Sequence, residues 1–323
     1  MTRCCADSCN TAVPLGNGRT EDGPSGDPIF YPHVIAARQG ASVYETACGD
    51  STHPTGICNC AEGFSYEECG SLGAAVGVQL SGQEYCHVVD CGHVGLTSVP
   101  AFPSTTTKLN LQNNLDLTTI PEGVFDALTD TENLYASSVG ITALPPNLFS
   151  AMSSLKALEI SITRITVLEA GAFYGLTALE ELSMFDNKHW QTMKVGALDG
   201  LPALTTLALR SNKELVLTPF DYLPALTTIT LANCEAVTEI PQQVFKRLPS
   251  VETVVFEHNA NLRSIVAGSF GNTSTTLHTL QISGSPALTA VAPGGFAGLA
   301  GLKTLILLVC GITALDDGVF NGQ

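Results

Sequence analysis

The sequence predicts an α/β solenoid in which a parallel β-sheet lines the concave side and a small irregular disulfide-rich module precedes the coils. Three observations predict it. A pattern of the type L-x-x-[LI]-x-L-x-x-[NC] starts at Thr106, Thr131, Leu155, Leu179, Leu204, Leu226, Val251, Leu277 and Leu302, at spacings of 25, 24, 24, 25, 22, 25, 26 and 25 residues. A phenylalanine recurs later in each copy, as Phe125, Phe149, Phe173, Phe220, Phe245, Phe270, Phe296 and Phe320, with Leu198 in its place once. Nine of the eleven cysteines lie before residue 92.

Each element follows from these patterns. In x-L-x-L-x the leucines alternate, so they share one face of a short strand. Strands are expected near residues 110, 135, 159, 183, 208, 230, 255, 281 and 306. The chain then turns, crosses the convex side and buries the phenylalanine as a second apolar row. One copy cannot bury both rows alone, so neighbours must stack. The ninth position turns the chain inward, and asparagine suits it because its amide bonds backbone groups left open by the turn. It is Asn114, Asn187, Asn212 and Asn259 in four copies, Cys234 and Cys310 in two, and Val139, Thr163 and Ser285 in the others. Cys234 and Cys310 sit three copies apart, about 14 Å at strand spacing. A disulfide needs Cα atoms within about 7 Å. Both are expected to be buried, reduced thiols.

The block Ile120-Pro121…Phe125…Leu128 recurs as Ile240-Pro241…Phe245…Leu248. Over residues 86–320 the chain resembles the "typical" subfamily of extracellular leucine-rich repeats, as in Slit-like proteins, Toll-like receptor ectodomains and variable lymphocyte receptors. The resemblance implies a horseshoe with a concave parallel sheet. Cys91-x4-Leu96-x-x-Val99-Pro100-x-x-Pro103 resembles the N-terminal cysteine cap of that family, which covers the first coil's apolar end and strand edge. In this reading Cys86 and Cys91 belong to the cap's bridges. Cys86, His87, Cys91 and His93 also have metal-ligand chemistry, but no C-x-x-C knuckle accompanies them, and no metal or other cofactor is expected.

Residues 1–85 are rich in Gly, Pro, Asp and Ser and hold no helical or strand period. Their cysteine density points to an oxidising compartment. Cys58-x-Cys60-x-x-Gly63-Phe64-x4-Cys69 resembles the second half of an EGF-like module, which implies a Cys60–Cys69 bridge and an earlier partner for Cys58; an irregular disulfide loop is the alternative. The expected divisions are therefore 1–85 as the irregular module, with the EGF-like half motif at 58–69, 86–105 as the cap, and 106–323 as nine repeats without a C-terminal cap.

The net charge is −16, with 14 Lys and Arg in 323 residues. Such a surface repels phosphate backbones, so no nucleic-acid partner is expected. The longest apolar run, Leu305 to Cys310, is far short of the roughly 20 residues a bilayer needs. No signal peptide is visible at the start, so the expectation is a fragment or a gene model with a misplaced start. It carries no phosphate loop, nucleophile elbow or zinc-protease motif, and is not expected to be an enzyme. His258 and His278 are expected to approach across adjacent strands near Glu257. Trp190, the single tryptophan, falls at an apolar repeat position and is expected in the core.

The expected function is an extracellular or cell-surface module that binds a protein or glycan through the concave sheet. The alternatives are the ectodomain of a signalling receptor, a receptor kinase among them, and a structural matrix component. Most exposed strand positions are small: Ser161, Ser183, Ala208, Thr230, Ala232 and Ser283. The candidate ligand-binding residues stand above that floor: Tyr135, Glu159, Phe185, Arg210, Glu257 and His258. Phe185 and Arg210 are expected to form one patch flanked by Glu180 and Asp186. Asn272 begins an N-x-[ST] sequon and is the candidate glycosylation site. Ile306, Leu308 and Val309 make the last copy unusually apolar, so self-association through the open end is a further expectation.

Overall fold

The computed structural model describes residues 88–271 and 275–321, together with the backbone of 59–61. Cys58, Cys69, Cys86 and Asn272 lie outside the described residues. The concave side is one sheet of eleven strands. Its first two are β1 (Asn59–Ala61) and β2 (Val88–Asp90). The repeats then supply β3 (Lys108–Asn110), β4 (Asn133–Tyr135), β5 (Ala157–Glu159), β7 (Glu181–Phe185), β9 (Thr206–Arg210), β10 (Thr228–Ala232), β12 (Thr253–Glu257), β14 (Thr279–Ser283) and β16 (Thr304–Leu308). Each repeat strand is centred within one residue of the position expected from the pattern. All pair parallel with their neighbours, except that β1 runs antiparallel to β2. β1 and β2 thus continue the sheet past the edge of the first repeat.

The convex segments carry turns and two-residue strands, and no helix occurs among the described residues. β6 (Val167–Leu168) pairs with β8 (Thr192–Met193), and β11 (Glu239–Ile240), β13 (Ser264–Ile265) and β15 (Ala290–Val291) form a second ladder. The repeat from Leu204, three residues shorter than its neighbours, contributes no strand to either ladder. Asp221 compensates there. Its buried carboxylate accepts from Gly196 N at 2.8 Å and Leu198 N at 3.0 Å, tying the preceding repeat's turn to the short one.

The leucines of each strand face inward and the phenylalanines stack behind them. Phe102, Phe125, Phe149 and Phe173 lie face to face with centroids 6.2–6.5 Å apart. The stack resumes from Phe220 through Phe245, Phe270 and Phe296 to Phe320. Offset stacking at such distances adds to area burial. The break falls at Leu198, in the same repeat as Trp190. Trp190 is fully buried, and its indole N–H donates to Thr192 O at 3.0 Å.

A ladder of ninth-position side chains runs between the rows. Asn187 Nδ2 donates to Ile160 O, Asn212 Nδ2 to Met184 O, and Asn259 Nδ2 to Leu231 O, at 2.9–3.0 Å. The amide oxygens reach back to the preceding ninth residue: Asn187 Oδ1 accepts from Thr163 N, Asn212 Oδ1 from Asn187 N, and Asn259 Oδ1 from Cys234 N. Cys234 keeps the pattern with a weaker group, its thiol donating to Leu209 O and Ala232 O at 3.4 Å. It is free and buried; Cys310 is also free but only partly buried, because the stacked coil that covers Cys234 has no counterpart over the last strand among the described residues.

The eighth position explains how each strand ends. Asn113, Ser138, Ile162, Asp186, Ser211, Asn233, His258 and Val309 all adopt positive φ of 52–59°. Gly284 fills the remaining place, at 63°. This left-handed residue breaks the extended run and starts the inward turn.

Candidate functional site

Side chains at the third, fifth and seventh positions project from the concave sheet, while the fourth and sixth fill the core. At the third position Thr206, Thr228, Thr253, Thr279 and Thr304 are in direct register across five strands. The sequence reading missed this row, because each threonine alone is an ordinary β-branched strand residue. Aligning the copies at the third position would have found it.

The large candidates occupy the fifth, seventh and eighth positions. Tyr135, Glu159 and Ser183 lie in register on β4, β5 and β7. Phe185 is in register with Arg210 on β9, as the spacing implied. Phe185 is half-buried and Arg210 exposed, and no side-chain hydrogen bond or ion pair engages the Arg210 guanidinium among the described residues. Asp186 adjoins this pair, but Glu180 does not flank it. Glu180 precedes β7 while Phe185 ends it, a separation of about 17 Å along an extended strand.

Two more expectations are corrected. Glu159 does not stand above the floor but is sunk into it, 8% exposed, with Ser137 Oγ donating to its carboxylate. Tyr135 and Ser183 are its register neighbours on β4 and β7. His258 and His278 do not approach. His258 follows β12 and His278 precedes β14, and the register Thr253↔Thr279 to Glu257↔Ser283 puts them at opposite ends, about 20 Å apart. Glu257 accepts from Gln281 Nε2 at 3.0 Å instead.

The small residues are more covered than a bare groove would be. Ser161, Ser183, Thr230 and Ala232 are buried, and Ser161 Oγ accepts from Phe185 N at 3.0 Å, which fixes the backbone under the aromatic ring.

Electrostatics distinguish two regions. Burial pushes the Tyr135 phenol up, and the charges of Glu159 and Glu181 push it further. Burial likewise raises Asp186, against the pull of Lys188, 3.8 Å away, and of Lys213. Lys213 is raised by its hydrogen bond and ion pair to Glu235 at 2.8 Å. Lys213 and Glu235 line a depression of about 550 Å³ with Gln191, Thr192, Glu214 and Val216, beside the short repeat. It lies off the concave sheet.

At the N-terminal end Cys91 is buried and disulfide-bonded, with its partner outside the described residues. A bonded sulfur is no thiolate, which removes one ligand from the alternative zinc reading. His93 Nε2 lies 2.8 Å from Asn113 Nδ2.

Comparison with known proteins agrees with this geometry. The family described as leucine rich repeat matches residues 132–188 and 158–213. The family described as BspA type leucine rich repeat region (6 copies) matches residues 187–303. No curated protein matches the chain. Among solved structures, the leucine-rich-repeat domain of the type III effector XopL is similar at 18% identity and a TM-score of 0.53, over 70% of this chain and 77% of that one. A chain of the Drosophila Toll–Spatzle complex is similar at 19% identity and a TM-score of 0.46, over 67% of this chain and 32% of its own length. The present chain therefore spans about a third of that one. With its stacked leucine and phenylalanine rows and the asparagine ladder between them, this chain is a leucine-rich-repeat protein.

Proposed function

We propose that this chain is an extracellular or cell-surface binding module that recognises a protein or glycan through its concave sheet. Repeat solenoids of this kind present extended concave surfaces for protein partners. One observation carries the reading: Phe185 and Arg210 stand side by side on adjacent strands, the guanidinium exposed and unengaged by any side chain among the described residues. Phenylalanine and arginine on a floor of small residues make an anchor pair, because aromatic and guanidinium groups bury much surface at little torsional cost. Tyr135 extends the surface two strands away. The disulfide at Cys91 supports an oxidising compartment, and a glycan on Asn272 belongs to the same reading.

Screening immobilised secreted proteins and glycans identifies the ligand, after which Phe185→Ala and Arg210→Ala should each weaken binding by at least about 1 kcal/mol while leaving the melting temperature unchanged. Wild-type binding by both variants, with loss on changes at 58–69, moves recognition to the N-terminal module. The receptor-ectodomain alternative is separated by the full-length transcript, in which a membrane span and a kinase motif set would be visible.

A second reading has its own observation. Leu308 is 59% exposed and Val309 69%, an apolar surface at the last strand, and Phe320, 43% exposed, ends the convex row of the same coil. Self-association through this face supports the matrix alternative, and a monomer in sedimentation velocity at micromolar concentration argues against it.

A further inference from the structure

Three successive coils build the depression beside the short repeat. Gln191 and Thr192 come from the first, Lys213, Glu214 and Val216 from the short one, and Glu235 and Ala236 from the third. Its volume, about 550 Å³, falls in the range of small-molecule sites. The backbone beneath it is tied across both seams. Val216 N donates to Gln191 O at 3.1 Å, and Ala236 N to Lys213 O at 2.8 Å. Asn261 Nδ2 donates to Glu235 O at 2.9 Å.

The polar side chains are tied as well. Gln191 Nε2 donates to Glu214 Oε2 at 2.7 Å, and Lys213 Nζ meets Glu235 Oε1 at 2.8 Å. Each pairing uses one contact of a head group and holds the rest of that group in place. By inventory, Gln191 keeps its amide oxygen and a second N–H, each carboxylate its other oxygen, Lys213 further N–H donors, and Thr192 a hydroxyl. All of these residues are exposed. Donors and acceptors are therefore held together around one rim.

The lining selects by exclusion. An anionic ligand meets two carboxylates against one ammonium. A cationic ligand meets Lys213 and finds Glu235 already paired. An apolar ligand finds only Val216 and Ala236. A neutral polyhydroxylated ring suits every part: each hydroxyl both donates and accepts, and its C–H face has Val216, 55% exposed, to lie on. We propose that this depression binds a neutral saccharide, with ring hydroxyls bridging the Gln191–Glu214 pair to the Lys213–Glu235 pair. The site is off the concave sheet and does not depend on the concave-face reading.

The test titrates the full chain with methyl β-D-glucopyranoside, methyl β-D-galactopyranoside and methyl α-D-mannopyranoside in turn, following backbone amide resonances by NMR. Saturable shifts at Gln191, Thr192, Val216 and Ala236 are expected with at least one of them. The uronic acid counterpart of that glycoside, which adds a carboxylate, should bind at least about tenfold more weakly, and so should the glycoside to the double variant Gln191→Ala, Glu214→Ala. Both positions are exposed, so this variant should melt as wild type. Glu122→Gln, an exposed acid on another coil, should bind as wild type. The absence of any saturable shift with all three glycosides overturns the proposal, as does equal affinity in the double variant or for the uronic acid. Shifts confined to the concave strands overturn it too, and move saccharide recognition onto the sheet.

Discussion

Asn212 shows how much one side chain holds between coils. Its amide donates to Met184 O and accepts from Asn187 N, both buried. Asn212→Ala leaves two backbone groups unpaired, each costing about 1–3 kcal/mol; a loss of roughly 2–5 kcal/mol in urea unfolding is expected, against a change within about 0.5 kcal/mol for exposed Asn113→Ser. Cys234 occupies the same ladder and titrates. Burial pushes its thiol up from 9.0 to about 11. Between those values the unfolded chain gives up the proton and the folded chain keeps it, so the thiol's contribution is whole below pH 9 and is lost as pH rises toward 11. The slope reaches at most about 1.4 kcal/mol per pH unit. Cys234→Ser, whose hydroxyl does not titrate, should flatten that part of the stability curve; an unchanged slope would place the thiol in solvent. The ninth-position ladder was legible in the sequence because asparagine recurs at a fixed count. The left-handed eighth position was not, since Ile162, Asp186, His258 and Val309 share a backbone angle without sharing any chemistry.

At the scale of the element, the repeat from Leu179 replaces the spine phenylalanine by Leu198 and carries Trp190 three residues after the ninth-position Asn187. Both are fully enclosed. A larger side chain at one position and a smaller one at the other is the pattern of a volume exchange within a single coil. Leu198→Phe alone should overpack and cost about 1–3 kcal/mol. Combined with Trp190→Leu it should cost less than the sum of the two single changes, and a double-mutant cycle that is additive within about 0.5 kcal/mol would show the two positions to be independent. The strands themselves were legible to within a residue, because alternation of leucine decides which face is buried. Asp221 was not legible as a tie between coils: a single aspartate after Phe220 looks like any turn residue until its carboxylate meets Gly196 N and Leu198 N. The burial of Glu159 was hidden for a similar reason, since strand alternation says which way a side chain points and not how deeply it is covered or that the Ser137 hydroxyl meets it.

Across the array, the back of the solenoid is not uniform. One convex ladder ends at β8 and the next begins at β11, and the aromatic stack is interrupted over the same stretch. Hydrogen exchange should therefore be faster in the convex segments from 194 to 238 than in those from 164 to 193 or 239 to 292, while the concave strands β7, β9 and β10 stay protected alike. Equal protection along the whole back would mean that Asp221 and its partners fully replace the missing ladder. The discontinuity has a mechanical meaning as well. A coil stack with continuous seams front and back resists bending as one rod, whereas here the front sheet runs unbroken and the back is spliced once. Pulled from its ends or pressed against a curved partner, the array should flex at that splice, with Phe185 and Arg210 standing on the opposite side of it, so that opening or closing the back alters the spacing a ligand meets in front.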